Sequence, residues 1–148
     1  MVPLPPRVPG NPEKVLTSKS EHTILFADDN EDFQKPVAAL LYRSGYGVIT
    51  ANDGKHALQK AREFDGTIHL LLSDIEMPRM TGIELSTQLN QERPDTRILL
   101  ISGVDSGLLV RKLGWQFLRK PLVFDTLRDR IRDLLAEQPS KQEQLPDA

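Results

Sequence analysis

The sequence contains no cysteine, and this absence removes several kinds of chemistry at once. Disulfides, zinc–thiolate sites, iron–sulfur clusters and catalysis by a thiol all require cysteine. The sequence also has no apolar run that approaches the ~20 residues needed to cross a membrane. We therefore expect a domain that has no covalent cross-links and does not lie in a membrane.

A strong excess of charge of either sign is also missing. The 19 basic residues stand against 21 acidic ones, so the formal net charge at pH 7 is -2. Proteins that bind nucleic acid through its phosphates usually carry a clear positive excess, so we expect no direct binding to nucleic acid. The amino-terminal residues lack the apolar segment of a secretory signal, which favours a cytoplasmic location.

The 148 residues have the length of one domain, and that length is enough to bury a core. The 11 prolines are unevenly spread, and many of them crowd residues 1–20. Because proline and glycine interrupt regular elements, we predict a disordered extension over residues 1–20. Residues 139–148 are polar and predict a flexible tail. Residues 21–138 then form a single domain, and we expect no attached output domain.

Apolar segments of two kinds alternate along residues 21–138. Short runs that are apolar throughout predict strands covered on both faces. Runs with apolar residues at positions i, i+4, i+7 and i+8 predict helices with one buried face. Alternating strands and helices imply a parallel sheet with right-handed crossovers. Five such pairs predict an α/β domain of the doubly wound (βα)₅ class.

This pattern assigns five strands and five helices. The predicted strands are Thr23–Ala27, Gly47–Ala51, Ile68–Leu72, Arg97–Ile101 and Trp115–Arg119. The predicted helices are Asp32–Ser44, Asp53–Phe64, Gly82–Gln91, Leu108–Leu113 and Phe124–Glu137. We expect Asp32 to cap the first helix, because Pro36 would then lie in the first turn, where a missing N–H is tolerated.

Polar residues of complementary chemistry lie at the carboxyl ends of the predicted strands, where sheets of this kind bind ligands. Asp28 and Asp29 follow the first strand, Asp74 the third, Ser102 the fourth and Lys120 the fifth. Carboxylates held close together repel one another unless a cation lies among them, and Mg²⁺ prefers oxygen ligands. An aspartate can attack phosphorus, and a metal with a lysine can neutralise the transferred group. The set indicates phosphoryl transfer to an aspartate.

These motifs resemble those of response-regulator receiver domains in two-component signalling. The matching segments are Asp28-Asp29, Asp74-Ile-Glu-Met-Pro-Arg-Met-Thr-Gly82, Ser102-Gly103 and Phe117-Leu-Arg-Lys120-Pro121. They occur in the order normal for that family, and the intervals from Asp29 to Asp74 and from Asp74 to Ser102 are also normal for it. The resemblance implies a flavodoxin-like fold with strand order 2-1-3-4-5. It also implies a stand-alone receiver similar to the chemotaxis response regulators.

The resemblance further implies a role for each residue of the acidic group. Asp74 would accept a phosphoryl group from a sensor histidine kinase or a histidine phosphotransfer protein. Asp29, Asp74 and the backbone carbonyl of Glu76 would bind Mg²⁺ (or Mn²⁺), and Asp28 would reach the metal through water. Lys120 would contact a phosphoryl oxygen. The domain would then catalyse only its own phosphorylation and slow dephosphorylation.

Two more residues would form a switch in a domain of this family. Ser102 would hydrogen-bond the phosphoryl group, and Phe117 would follow its movement, although an aromatic residue on a strand can equally belong to the core. The Lys120-Pro121 peptide would be cis, as X-Pro bonds allow. The output would be phosphorylation-dependent contact with a downstream protein that the sequence does not identify.

Two features depart from the family pattern. The interval from Ser102 to Lys120 is shorter than in most members by about one helical turn of ~3.6 residues, which shortens the fourth helix. Glu76 places a carboxylate two positions after the acceptor. We expect it to change the lifetime of the phosphoryl group by repelling an incoming anion or water.

Two other functions stay open at this point. A degenerate receiver would bind its partners without phosphorylation, but all five key positions are filled, and only the short fourth helix favours this alternative. A phosphatase with an aspartyl-phosphate intermediate would carry an Asp-x-Asp motif after the first strand. The sequence there is Asp28-Asp29-Asn30-Glu31, which lacks that motif.

Overall fold

The computed structural model describes residues 22–136, in which five strands and five helices alternate. The extension predicted for residues 1–20 and the tail predicted for 139–148 lie outside the described residues. The strands are β1 (Thr23–Ala27), β2 (Gly47–Ala51), β3 (Leu70–Asp74), β4 (Arg97–Ser102) and β5 (Gln116–Arg119). The helices are α1 (Glu31–Arg43), α2 (Gly54–Glu63), α3 (Gly82–Glu92), α4 (Gly107–Lys112) and α5 (Phe124–Ala136).

All five strands pair in parallel in the order β2-β1-β3-β4-β5, which confirms the predicted topology. The order in which strands are added to the sheet reverses at β1, because β2 pairs with one edge of this strand and β3 with the other. Both β1 and β3 are buried along their whole length, as expected for strands covered on both faces. Their carboxyl ends meet at the switch point, where doubly wound sheets bind ligands.

Helices cover both faces of the sheet. One core layer contains Leu71 of β3 and Leu85 of α3, together with side chains of α2 and α4. The other contains Leu72 of β3 and Ile131 of α5, together with side chains of α1. Successive residues of a strand face opposite sides, so neighbouring leucines belong to different layers. This double burial explains why the strands are apolar throughout.

The start of α1 differs from the prediction. Asn30, and not Asp32, caps the helix, because the side-chain oxygen of Asn30 accepts a hydrogen bond from the N–H of Asp32 at 3.0 Å. Pro36 therefore lies in the second turn, inside the helix. The carbonyl that loses its helical donor there belongs to Asp32, which is exposed, so water can take the place of the missing N–H.

Strand β3 is displaced by two residues from the predicted Ile68–Leu72. Ile68 is buried but precedes the strand, whereas Asp74 pairs with Ile101 of β4 and is the last residue of the ladder. Ile68 is thus buried without pairing in the strand, because apolar composition predicts burial but does not predict strand pairing. The backbone pairing with β4 consequently extends as far as the acidic residue itself.

Helix α4 contains six residues, which confirms its predicted shortness. Val110 is its buried contact with the core, while Leu108 and Leu109 are 66% and 50% exposed. Within residues 22–136, no helix combines the length and the apolar character that crossing a membrane requires.

Candidate functional site

Three carboxylates meet at the carboxyl edge of the sheet. Asp28 and Asp29 directly follow β1, and Asp74 ends β3. One oxygen from each of the three lies within 4.8 Å of the others. Asp28 is completely buried and Asp74 is 5% exposed, whereas Asp29 is exposed. The cluster therefore opens to solvent on the side of Asp29.

The loop after β1 is held in place by hydrogen bonds to Asp28. The N–H of Asp28 donates to the carbonyl of Ala51 at 3.1 Å, and its Oδ1 accepts from the N–H of Asn30 at 2.8 Å. The buried side chain of Gln34 donates from Nε2 to the carbonyls of Asp28, at 3.2 Å, and Ala51, at 2.8 Å. This role of Gln34 was not predictable from the sequence, because a single polar residue on a helix is usually solvated.

The position of Asp74 depends on close packing between β3 and α3. The N–H of Ile75 donates to the carbonyl of Ile101 at 2.9 Å, and the N–H of Gly82 donates to the carbonyl of Ile75 at 2.8 Å. A Cβ atom at Gly82 would overlap the carbonyl oxygen of Asp74. Only glycine lets α3 begin this close to the strand. The loop that follows Asp74 is thus anchored by backbone hydrogen bonds at Ile75 and at Gly82.

Lys120 reaches the acidic cluster from the end of β5. Its Nζ lies 3.8 Å from Oδ2 of Asp28 and 3.7 Å from Oδ2 of Asp74. The same atom lies 4.5 Å from the centroid of the Phe33 ring, a cation–π contact. The sequence placed Phe33 only on an apolar helix face and did not reveal this contact. The N–H of Lys120 donates to the carbonyl of Ser102 at 2.9 Å, and the peptide to the next residue, a proline, is cis, as predicted.

One lysine does not balance the buried acids. Burial, and then the charge of Asp28, raises the pKa of Asp74 from 3.8 to about 6, although Lys120 opposes the rise. Burial also raises the pKa of Asp28 above its ordinary value, against the N–H of Asn30 and the charge of Lys120. The site consequently holds negative charge in a place that disfavours it.

A divalent cation fits the residues of this cluster. Oδ2 of Asp28 and Oδ1 of Asp74 are buried, and neither has a hydrogen-bond partner among the described residues. Buried carboxylate oxygens without a donor are unfavourable, and a cation would supply the missing interaction. The side-chain atoms of the cluster that could bind a cation are carboxylate oxygens, which suit hard ions such as Mg²⁺ or Mn²⁺.

Ser102, the last residue of β4, has no exposed surface, and its hydroxyl is fully engaged. Its Oγ lies 2.8 Å from Oε1 and 2.7 Å from Oε2 of Glu76, and it accepts a hydrogen bond from the N–H of Val104 at 3.0 Å. A serine hydroxyl has one proton, so the two carboxylate oxygens share a single donor. The sequence placed Glu76 over the site but did not predict its contact with Ser102.

Phe117 is half-buried on β5 and is not part of the acidic cluster. It pairs in register with Leu100 and packs on the core layer that contains α4. A Cβ atom at Gly107 would lie 3.2 Å from Cδ2 of the ring, so the start of α4 rests on this aromatic side chain. A core role and a role in moving α4 are compatible with this position, and the switch role stays a prediction.

A doubly wound sheet with an acidic cluster and a lysine at its carboxyl edge defines the class of signalling receiver domains. The sequence profile described as "Response regulator receiver domain" matches residues 24–132. The chain therefore belongs to the response regulator receiver domain family, as its motifs predicted.

Individual relatives come from several bacteria. PhoP, the alkaline phosphatase synthesis transcriptional regulatory protein of Bacillus subtilis, is 39% identical over 116 residues, which cover 76% of this chain and 48% of PhoP. The sensor kinase CckA of Brucella abortus is 28% identical over 130 residues, which cover 85% of this chain and 14% of CckA. The chain thus spans less than half the length of either relative.

A solved structure supports the same family. The response regulator TrrA of Thermotoga maritima, in complex with Mg²⁺ and BeF, has a TM-score of 0.69 and 26% sequence identity. The similarity covers 76% of this chain and 98% of that one.

Proposed function

We propose that this domain accepts a phosphoryl group on Asp74 in a reaction that depends on a divalent cation. The observation that carries the proposal is the cluster of three carboxylates within 4.8 Å of one another, with a lysine beside it and two buried oxygens that lack a donor. We propose a sensor histidine kinase or a histidine phosphotransfer protein as the phosphoryl donor, since a sensor kinase is among the relatives. The output is phosphorylation-dependent contact with a protein.

Asp74 is the best-placed nucleophile of the cluster. Its carboxylate ends β3 and lies in the cluster that opens to solvent on the side of Asp29. With a pKa of about 6, the side chain is mostly ionised at neutral pH. In the proposed reaction a new bond forms between this carboxylate and phosphorus, while the bond between phosphorus and the donor histidine breaks.

The remaining residues would neutralise and position the transferred group. A divalent cation bound by Asp29, Asp74 and the backbone carbonyl of Glu76, with Asp28 reaching it through water, would supply charge neutralisation. Lys120 needs little movement to contact a phosphoryl oxygen, because its Nζ lies 3.7 Å from the Asp74 carboxylate. A phosphoryl oxygen would also accept the hydroxyl proton of Ser102.

The proposal is tested by incubating the protein with Mg²⁺ and acetyl phosphate and recording the intact mass. We expect the wild type and an Asp65→Asn control, whose side chain is exposed in the loop before β3, to gain one phosphoryl group. Asp74→Asn should gain none, and neither should the wild type in EDTA. Phosphorylation of Asp74→Asn would show that another residue is the acceptor.

The short α4 favours a second candidate function, which is partner binding without phosphorylation. This helix usually contributes to the output surface of the family, and here it has only six residues. A wild-type protein that gains no phosphoryl group from acetyl phosphate, but is folded by circular dichroism, would support this candidate and contradict the first.

A further inference from the structure

Ser102 and Glu76 form a contact that the proposed phosphorylation does not require. The hydroxyl of Ser102 donates its proton to the Glu76 carboxylate at 2.7–2.8 Å, and its lone pair accepts the N–H of Val104 at 3.0 Å. Ser102 is completely buried, whereas the Glu76 side chain is exposed and lies over it. The hydroxyl thus has no proton left for any other acceptor.

We propose that Glu76 is a positioning residue that occupies the Ser102 hydroxyl in the phosphoryl-free domain and must be displaced when Asp74 is phosphorylated. The inference rests on the proposed function, because a phosphoryl oxygen is the competing acceptor. Both acceptors are anionic, and a serine has one proton, so the two cannot be satisfied together. The exposed position of Glu76 lets its carboxylate move into water as it leaves.

The displacement would be transmitted to the loop between β4 and α4. The N–H of Val104 is fixed by the Ser102 oxygen, so any rotation of the hydroxyl that follows the phosphoryl group changes that bond. Val104 itself is 59% exposed, and a Cβ at the adjacent Gly103 would meet no described residue within 4 Å other than its two neighbours in the chain. A change in the group that accepts the Ser102 proton would therefore alter the conformation of the loop that leads to α4.

A double-mutant cycle tests the proposal with Mg²⁺ and beryllofluoride, an analogue of the phosphoryl group. Affinity is measured for the wild type, Glu76→Gln, Ser102→Ala and the double variant. Glutamine keeps the shape of glutamate but is a weaker acceptor, so Glu76→Gln should bind the analogue roughly 5- to 10-fold more tightly. On the Ser102→Ala background, the same change should alter affinity less than about 2-fold. Glu63→Gln, an exposed glutamate of α2, serves as the matched control.

Simple charge repulsion makes a different prediction, which the cycle separates. Repulsion between Glu76 and the analogue would give the same gain in affinity with serine or alanine at position 102, and that result would overturn the proposal. So would an unchanged affinity of Glu76→Gln. Because Glu76 is exposed, we expect Glu76→Gln to fold, and circular dichroism checks the folding of every variant.

The amide resonance of Val104 gives a second measurement, which needs no ligand. In the metal-free protein, Glu76→Gln should shift this ¹⁵N–¹H signal, because it changes the acceptor of the Ser102 hydroxyl proton. Ser102→Ala should shift the signal further, because it removes the oxygen that accepts the Val104 proton. Glu63→Gln should leave the signal in place. An unmoved Val104 signal in Glu76→Gln would overturn the proposal. Failure of the wild type to bind beryllofluoride would instead contradict the proposed function, and this inference with it.

Discussion

Replacing Asp74 by asparagine removes a charge that the folded domain holds at an unfavourable site. Asp74 is 5% exposed, lies beside Asp28, and is balanced only in part by Lys120. Asparagine has nearly the same shape and does not ionise. We therefore expect the variant to have a larger free energy of unfolding than the wild type near neutral pH in the absence of divalent metal.

The pKa of Asp74 gives the magnitude and the sign of this effect. In the folded domain the pKa rises from 3.8 to about 6. Each pKa unit is worth about 1.4 kcal/mol, so ionisation of Asp74 lowers the free energy of unfolding by at most about 3 kcal/mol. The folded state holds the proton more tightly than the unfolded state. Stability is therefore lost as the pH rises from about 4 to about 6, and the loss is complete at neutral pH.

Urea denaturation in EDTA at several pH values measures the effect. The difference in unfolding free energy between Asp74→Asn and the wild type should be about 1–3 kcal/mol above pH 7 and should shrink toward zero near pH 4. Asp65→Asn, in an exposed loop, should show no such difference at either pH. The reasoning is refuted if Asp74→Asn is no more stable than the wild type above pH 7, or if its advantage does not depend on pH.

Three further outcomes are expected. Mg²⁺ at about ten times its dissociation constant should stabilise the wild type by about 1.4 kcal/mol in thermal melts, and Asp29→Asn should lose most of this gain, because a proposed ligand is removed. Gly82→Ala should destabilise the domain by about 2–3 kcal/mol in urea titrations, because its Cβ would overlap a backbone oxygen of β3. The control Gly103→Ala, which has open space for a Cβ, should change the free energy of unfolding by less than about 1 kcal/mol. The phosphorylated form of Glu76→Asn should lose its phosphoryl group at a rate that differs from that of the wild type by about 3-fold or more, because a charge two positions after the acceptor is gone. An unchanged rate in a mass-based decay assay would contradict an effect of Glu76 on the phosphoryl lifetime.

The fold was predictable because its signals are redundant. Continuous apolar strands, helices with one apolar face and strand–helix alternation all point to the same doubly wound sheet. The errors concern local competition between neighbouring residues. Asn30 and Asp32 can both cap a helix, and the turn in which the N–H of Asn30 binds the Asp28 carboxylate favours Asn30. Likewise, Ile68 is as apolar as the strand residues that follow it, so its position outside the ladder has no sequence signal.

The membership of the candidate site was predictable for a simple topological reason. Residues that follow parallel strands share one edge of the sheet, and the structure brings Asp28, Asp74 and Lys120 together there. The contacts that link this edge to other elements were not predictable. The Glu76 carboxylate binds Ser102 across 26 residues of sequence, and the ring of Phe33 lies beside the lysine. Such contacts depend on side-chain conformations, which spacing does not encode.

The two donor-free carboxylate oxygens at the edge of the sheet have a consequence for how variants of this domain would be selected. A library screened only for survival at high temperature, with metal withheld, would be enriched in replacements of Asp28 and Asp74, because neutral residues there relieve the buried charge. Under the proposed function, the most heat-resistant descendants would then include variants that have lost the phosphoryl acceptor. Thermal selection should therefore be coupled to a requirement for phosphorylation, so that both acids are retained.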